Sequence, residues 1–176
     1  SNLCFQQIKF YLKRYGVDLS HVKIAEKASL TTALELTTKN GKANVMLRDL
    51  GSLADFSPLD LADRDYELIE NADYVCLFNW AGTKKFGTNL AETVFHRVKT
   101  TGNGKTYYAT ADPTPNKAKL SDLMRDVLKT SCVDVLSLNE NEAVYYGSLL
   151  RDEIRGNPKG KRVEESAVEA ARVLAK

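Results

Sequence analysis

The stretch Val133-Asp134-Val135-Leu136-Ser137-Leu138-Asn139-Glu140-Asn141-Glu142 decides how this chain is read. Its first six residues form an aliphatic run of strand length, and a short helical segment from Asn141 to Tyr146 follows at once. Two earlier stretches repeat the arrangement. Asp73 to Asn79 (DYVCLFN) reads as a buried strand, followed by a helix from about Asn89 to Lys99. Thr106 to Ala111 (TYYATA) reads as the next strand, followed by a helix from Lys117 to Lys129. Strands alternating with helices of about 10–13 residues predict parallel βαβ units joined by right-handed crossovers.

Each of the three strands runs into polar residues. These are Asn79-Trp80-Ala81-Gly82-Thr83, Asp112-Pro113-Thr114-Pro115-Asn116 and Asn139-Glu140-Asn141-Glu142. Open α/β sheets bind ligands beyond the carboxyl ends of their strands, so these loops are the candidate site. Asn139 and Glu142 have two readings. A small polar residue followed three positions later by Glu is a capping box. A helix N-terminus also attracts anions such as phosphate, and a carboxylate there can hold Mg²⁺ through water. Asp112 is either a turn-former ahead of Pro113 and Pro115 or a ligand contact. Asn79 is a candidate substrate contact, and Trp80 either stacks on a ligand or packs in the core.

Upstream, Pro58 to about Asn71 has a helix pattern, with Pro58 suited to the first helical position. Thr31 to Thr38 and Ala43 to Leu50 are β-rich and flank Lys39-Asn40-Gly41-Lys42, a strong hairpin signal. Arg48 on the second of these runs is either solvated or able to reach a polar substrate. Residues 5–15 place Phe5, Ile8 and Leu12 on one stripe and stop at Gly16, an amphipathic helix with a C-terminal glycine. Downstream, a polar loop from Arg155 to Arg162 leads to an amphipathic helix from Val163 to Lys176.

Composition narrows the function classes. A chain of 176 residues buries roughly 70% of its unfolded surface, enough for a conventional core. Its 25 Lys+Arg and 23 Asp+Glu are interspersed, so the basic footprint of a nucleic-acid binder is missing. No apolar run approaches the roughly 20 residues of a membrane span, and the N-terminus has no signal-peptide pattern. Cys4, Cys76 and Cys132 are unclustered, which argues against a disulfide framework or zinc site; Cys76 and Cys132 read as buried small hydrophobes. His21 and His96 lack metal-ligand spacing. No P-loop, dinucleotide fingerprint or Gly-x-Ser-x-Gly elbow is present. The expectation is a soluble, cytoplasmic protein.

The order of segments resembles a known family. Gly16-Val17-Asp18-Leu19-Ser20-His21-Val22 precedes a hairpin beginning near Thr31-Thr32, then come Glu70-Asn71-Ala72-Asp73-Tyr74-Val75 and Asp112-Pro113. Asp134 to Ala143, with Asn139-x-x-Glu142 after an aliphatic strand, completes the series. This resembles the central portion of the ribokinase-like (PfkB) carbohydrate kinases over about residues 8–148. The resemblance implies an α/β fold: a three-layer, doubly wound, mostly parallel sheet with a small β lid. Residues 29–51 would be the lid insert, and 1–28 with 52–176 a partial kinase core.

The resemblance further implies transfer of the γ-phosphoryl group of Mg²⁺-ATP to a sugar or nucleoside hydroxyl. Asn139, Glu142 and Asp112 would bind the cofactor, with Glu142 on the metal, and Arg48 and Asn79 would contact substrate. Lid closure would exclude water and favour transfer over ATP hydrolysis. The exposed edge of the lid could pair two subunits into a homodimer. Two of the family's motifs are absent: the N-terminal Gly-Gly sugar motif, and the Gly-Ala-Gly-Asp motif that carries the general base and anion hole. A general base contributes about 10²–10⁴ in rate. The chain is therefore expected to be an incomplete kinase, nearly inactive alone. The alternative is a non-catalytic nucleotide- or sugar-binding module of the same fold.

Overall fold

The computed structural model describes residues 3–25, 31–37 and 44–152, together with positions 168, 171 and 172. Helix α1 spans Leu3–Arg14, and strands β1 (Thr32–Thr37) and β2 (Asn44–Asp49) follow. Short 3₁₀ turns at Gly51–Ala54 and Pro58–Asp60 lead into α2 (Asp63–Asn71) and β3 (Tyr74–Phe78). Another 3₁₀ turn, Trp80–Gly82, precedes α3 (Gly87–Thr101) and β4 (Lys105–Ala109). A 3₁₀ turn at Thr114–Lys119 then runs through α4 (Leu120–Leu123) into a π-helical turn, Met124–Leu128. Strand β5 (Val135–Ser137) and α5 (Glu140–Asp152) complete the series.

Strands β1 and β2 pair antiparallel, with Thr32 opposite Asp49 and Thr37 opposite Asn44. The hairpin expected around Asn40-Gly41 is thus present in its strands, while the turn itself lies outside the described residues. The expected helix from Val163 also lies outside them, apart from Val168, Ala171 and Arg172.

Strands β3, β4 and β5 form a parallel sheet in that order. Two successive crossovers of one hand, stepping the same way across the sheet, place both connecting helices on one face. On that face Val75 and Tyr108 meet Leu90, Val94, Phe95 and Val98 of α3, with Leu120, Leu123 and Val127 beside them. Phe95 and Tyr108 pack edge to face at 5.2 Å between ring centroids. Gly104 lets the α3–β4 connection pass the α2–β3 connection, since a Cβ there would lie 2.2 Å from the Ala72 carbonyl oxygen.

The strand DYVCLFN is therefore buried on one side only. Tyr74, Cys76 and Phe78 alternate with Val75 and face outward, Phe78 being 65% exposed. Cys76 is accordingly exposed and Cys132 half-buried, rather than both being core residues; Cys76 simply has the outward parity on β3.

The helix expected from Pro58 to Asn71 is two pieces. Asp60 Oδ2 accepts from the Ser57 amide at 2.8 Å and closes a single turn. Leu61 is extended (φ −90°, ψ 125°), and the helix restarts where Asp65 Oδ2 accepts from the Ala62 amide at 2.7 Å. The helix expected at Lys117–Lys129 is likewise a 3₁₀, α and π succession, and the short one after Glu140 extends to Asp152.

The start of β5 is tied to β4 by Thr106, which is fully buried. Its hydroxyl donates to the Cys132 carbonyl at 2.6 Å and accepts from the Asp134 amide at 2.9 Å. Thr106→Val keeps the shape and leaves both backbone groups without that partner. The expected loss is about 2 kcal/mol, read as a lower urea midpoint with an unchanged slope.

Candidate functional site

The parallel register brings the three strand ends level, with Phe78 opposite Ala109 and Ala109 opposite Ser137. The loops leaving the three strands therefore lie on one edge of the sheet. Two of these ends are conformationally unusual. Asn79 (φ 62°) and Ala111 (φ 61°) both occupy the left-handed region. Asn tolerates it; for Ala the conformation is strained, and such strain gathers at functional sites.

Asn79 holds its own loop together. Its amide donates to the Ala109 carbonyl at 2.8 Å, and its Oδ1 accepts from the Gly82 amide at 3.1 Å. Trp80 is buried, and its indole N–H donates to Thr88 Oγ1 at 2.9 Å, so of its two readings the core-packing one holds. At the second strand end, Asp112 is exposed and its Oδ1 accepts from the Thr114 amide and hydroxyl at 3.0 and 2.7 Å. The turn-forming reading of Asp112 is thus realised.

Asn139 and Glu142 form a complete capping box on α5. The Glu142 amide donates to Asn139 Oδ1 at 2.9 Å, and the Asn139 amide donates to Glu142 Oε2 at 3.1 Å. Asn139 Nδ2 also donates to Glu142 Oε1 at 2.8 Å. The capping reading is visible directly, and it is compatible with the ligand reading because both side chains sit at a helix N-terminus just beyond the end of β5.

Tyr146, one turn further along α5, links two of the loops. Its ring is fully buried, and burial raises its phenol well above the usual range. Thr110 lies near enough to oppose that rise, while the charges of Glu142 and Asp112 add to it. Among the described residues, neither Tyr146 Oη, Thr110 Oγ1 nor Asn116 Nδ2 has a hydrogen-bond partner, although all three are buried. Sequence reasoning does not find Tyr146, Thr110 or the strained Ala111. A lone aromatic at helical spacing reads as core, and nothing in the local sequence marks Ala111 for a positive φ.

Arg48 pairs with Ala33 across the hairpin, and its side chain is not among those described. The structure thus groups Asn79, Asp112, Asn139 and Glu142 along one sheet edge, while the Arg48 backbone belongs to the separate two-stranded sheet. Among the described residues, no three His, Cys, Asp or Glu side chains gather into a metal-binding group. Mg²⁺ does not require one, because it keeps several waters and is held by one or two carboxylates plus substrate phosphates. Glu142 and Asp112, one carboxylate on each of two neighbouring strand-end loops, fit that pattern.

The profile of the pfkB family carbohydrate kinases matches residues 5–159. The chain belongs to the pfkB family of carbohydrate kinases. No curated protein and no solved structure gives a significant match. The pfkB match spans α1, the hairpin, the parallel sheet and α5, so it includes all three ends of the parallel strands. Among the described residues, no helix of this pfkB chain is long and apolar enough to cross a membrane.

Two buttressing carboxylates are held well below the usual carboxylate range, and Asp18 and Asp126 are lowered less. A hydrogen bond from Lys99, aided by the Thr106 amide and hydroxyl, holds Asp134 far below the usual carboxylate range. Lys23, the Ala62 amide and His21 do the same for Asp65. Depressed carboxylates contribute fully above their unfolded value of about 4 and lose that contribution as pH falls through the folded value. Stability is therefore expected to fall steadily below about pH 4, and Asp134→Asn to flatten that limb. Urea titrations at a series of acid pH values would check this.

Proposed function

We propose that this pfkB chain carries the phosphate- and metal-organising edge of an ATP-dependent kinase acting on a sugar or nucleoside hydroxyl. The observation that carries the reading is the union of the family match with the α5 N-terminus. There Asn139 and Glu142 stand at the end of β5, beside the β4 end that carries Asp112. In this reading the backbone amides opening α5 receive phosphate oxygens, and Glu142 and Asp112 hold Mg²⁺ through its waters. Mg²⁺, when bound, neutralises negative charge on the transferring phosphates. Asn79 contacts the acceptor, and its bond to the Gly82 amide holds it in place.

The hairpin within residues 29–51 is the lid, carrying Arg48 to the acceptor as it closes, and its edge can pair two subunits. The reading takes the sheet as part of a three-layer, doubly wound core in a soluble, cytoplasmic enzyme. The acceptor oxygen attacks the γ-phosphorus, the bond to the bridging oxygen of ADP breaks, and the acceptor proton passes to a base. The 176 residues hold no Gly-Ala-Gly-Asp motif to supply that base, and this segment alone is expected to be nearly inactive.

That absent motif also favours a second reading, a module that binds nucleotide or sugar without chemistry. Calorimetry and ADP release, measured together on the protein that carries this chain, separate the two. Mg²⁺-ATP binding with ADP release that depends on an acceptor is the expected result. Tight binding with no ADP release under any acceptor would establish the binding module instead.

A further inference from the structure

Asp65 is a buried carboxylate in the first turn of α2, and it holds more than its helix requires. Capping uses one bond, from the Ala62 amide to Oδ2 at 2.7 Å. The same carboxylate also receives Lys23 Nζ on Oδ2 and His21 Nδ1 on Oδ1, the latter at 2.8 Å. His21 and Lys23 lie 44 and 42 residues earlier in the chain, in the strap that joins α1 to the hairpin.

That strap has local order of its own. Asp18 accepts from the Ser20 amide and hydroxyl, both at 2.9 Å, and the Val22 amide donates to the Leu19 carbonyl at 3.2 Å. On the hairpin it feeds, Leu34, Leu36 and Leu47 are each more than half exposed. At the hairpin's foot, the Thr31 hydroxyl donates to the Leu50 carbonyl at 2.7 Å and ties the two strands together. Gly51 follows with φ 51°, a conformation that glycine adopts readily and other residues do not. After it comes the exposed pair of Asp55 and Lys85 at 2.8 Å. Among the described residues flanking the hairpin, the strap rests on a buried charged group, Asp65.

We propose that Asp65 is the anchor through which the α/β body positions the hairpin, with His21 and Lys23 as the two points of attachment. It is a positioning residue acting through the strap, and the consequence for acceptor binding rests on the reading of the hairpin as lid. The anchoring itself does not depend on that reading. Cutting the strap loose should leave the body folded and raise the freedom of the strap itself, residues 17–25.

The test compares the His21→Ala/Lys23→Met double variant with Asp65→Asn and wild type. The double variant leaves the Ala62 cap intact, so α2 keeps its start even if Asp65→Asn does not fold. In hydrogen exchange, the double variant should speed exchange of residues 17–25 about tenfold and leave α3 residues 90–98 within about twofold. Unchanged exchange at 17–25 overturns the anchor, as does an equal rise in α3. In steady-state kinetics of the intact protein, KM for the acceptor should rise about tenfold, with KM for ATP and kcat within about threefold. An unmoved acceptor KM in a transferring enzyme overturns the positioning role. A wild-type protein that transfers no phosphate overturns the kinase reading instead, and the exchange arm then decides the anchor alone.

Discussion

Glu142→Gln is expected to raise the Mg²⁺ concentration for half-maximal turnover about 10–100-fold in the protein that carries this chain, as loss of a group supporting a metal site does. The substitution separates the two roles of the residue. In the capping box, Glu142 accepts from the Asn139 amide through Oε2 and from the Asn139 side chain through Oε1. Gln retains an acceptor oxygen, and Gln serves at this position of capping boxes generally. Stability should therefore change by no more than about 0.5 kcal/mol. What Gln lacks is charge, which organises Mg²⁺ through its water shell. Glu142→Ala removes both roles and should lose about 1 kcal/mol of stability in addition. An Mg²⁺ titration paired with urea unfolding makes the comparison. Unchanged Mg²⁺ dependence in Glu142→Gln would return the residue to capping alone.

Phe95→Ala is expected to destabilise the fold by about 3–5 kcal/mol, while Phe78→Ala changes it by less than about 1 kcal/mol. The two phenylalanines lie on opposite sides of the same sheet. Phe95 is fully buried between α3 and Tyr108, and its removal opens a cavity while ending the edge-to-face contact. Phe78 is 65% exposed on the outward face of β3, beside Tyr107 at 5.8 Å between centroids. A loss near 3 kcal/mol is a large share of a typical stability of about 5–15 kcal/mol, so Phe95→Ala should unfold in markedly less urea. Equal losses for the two variants would show that the outward face is covered, contrary to the one-sided burial of β3.

The strands and their polar ends were legible because they rest on local signals. Strand-length runs at Asp73–Asn79, Thr106–Ala111 and Val133–Leu138, rich in aliphatic or aromatic residues, contain β3, β4 and β5, apart from Lys105 at the start of β4. The capping box at Asn139 and Glu142 is a spacing rule, and it is present atom for atom. Other features depend on partners remote in the chain. Parity along β3 was readable, but which face the helices would cover was not, and Cys76 was therefore misplaced. The interruption at Leu61 follows from two short-range carboxylate caps, by Asp60 and Asp65, competing with one continuous helix. Asp65's pairing with His21 and Lys23 spans more than forty residues and leaves no periodic trace. The sequence does not single out Tyr146; only the fold shows its ring fully buried beneath the strand-end loops.

The central claim is phosphoryl transfer organised at the α5 N-terminus, and one measurement tests it most directly. The intact protein is incubated with Mg²⁺ and γ-³²P-ATP across a panel of sugars and nucleosides, and label is followed into the acceptor. The account predicts Mg²⁺-dependent labelling of at least one acceptor hydroxyl. Folded protein that labels no member of the panel, at any Mg²⁺ concentration, would contradict it.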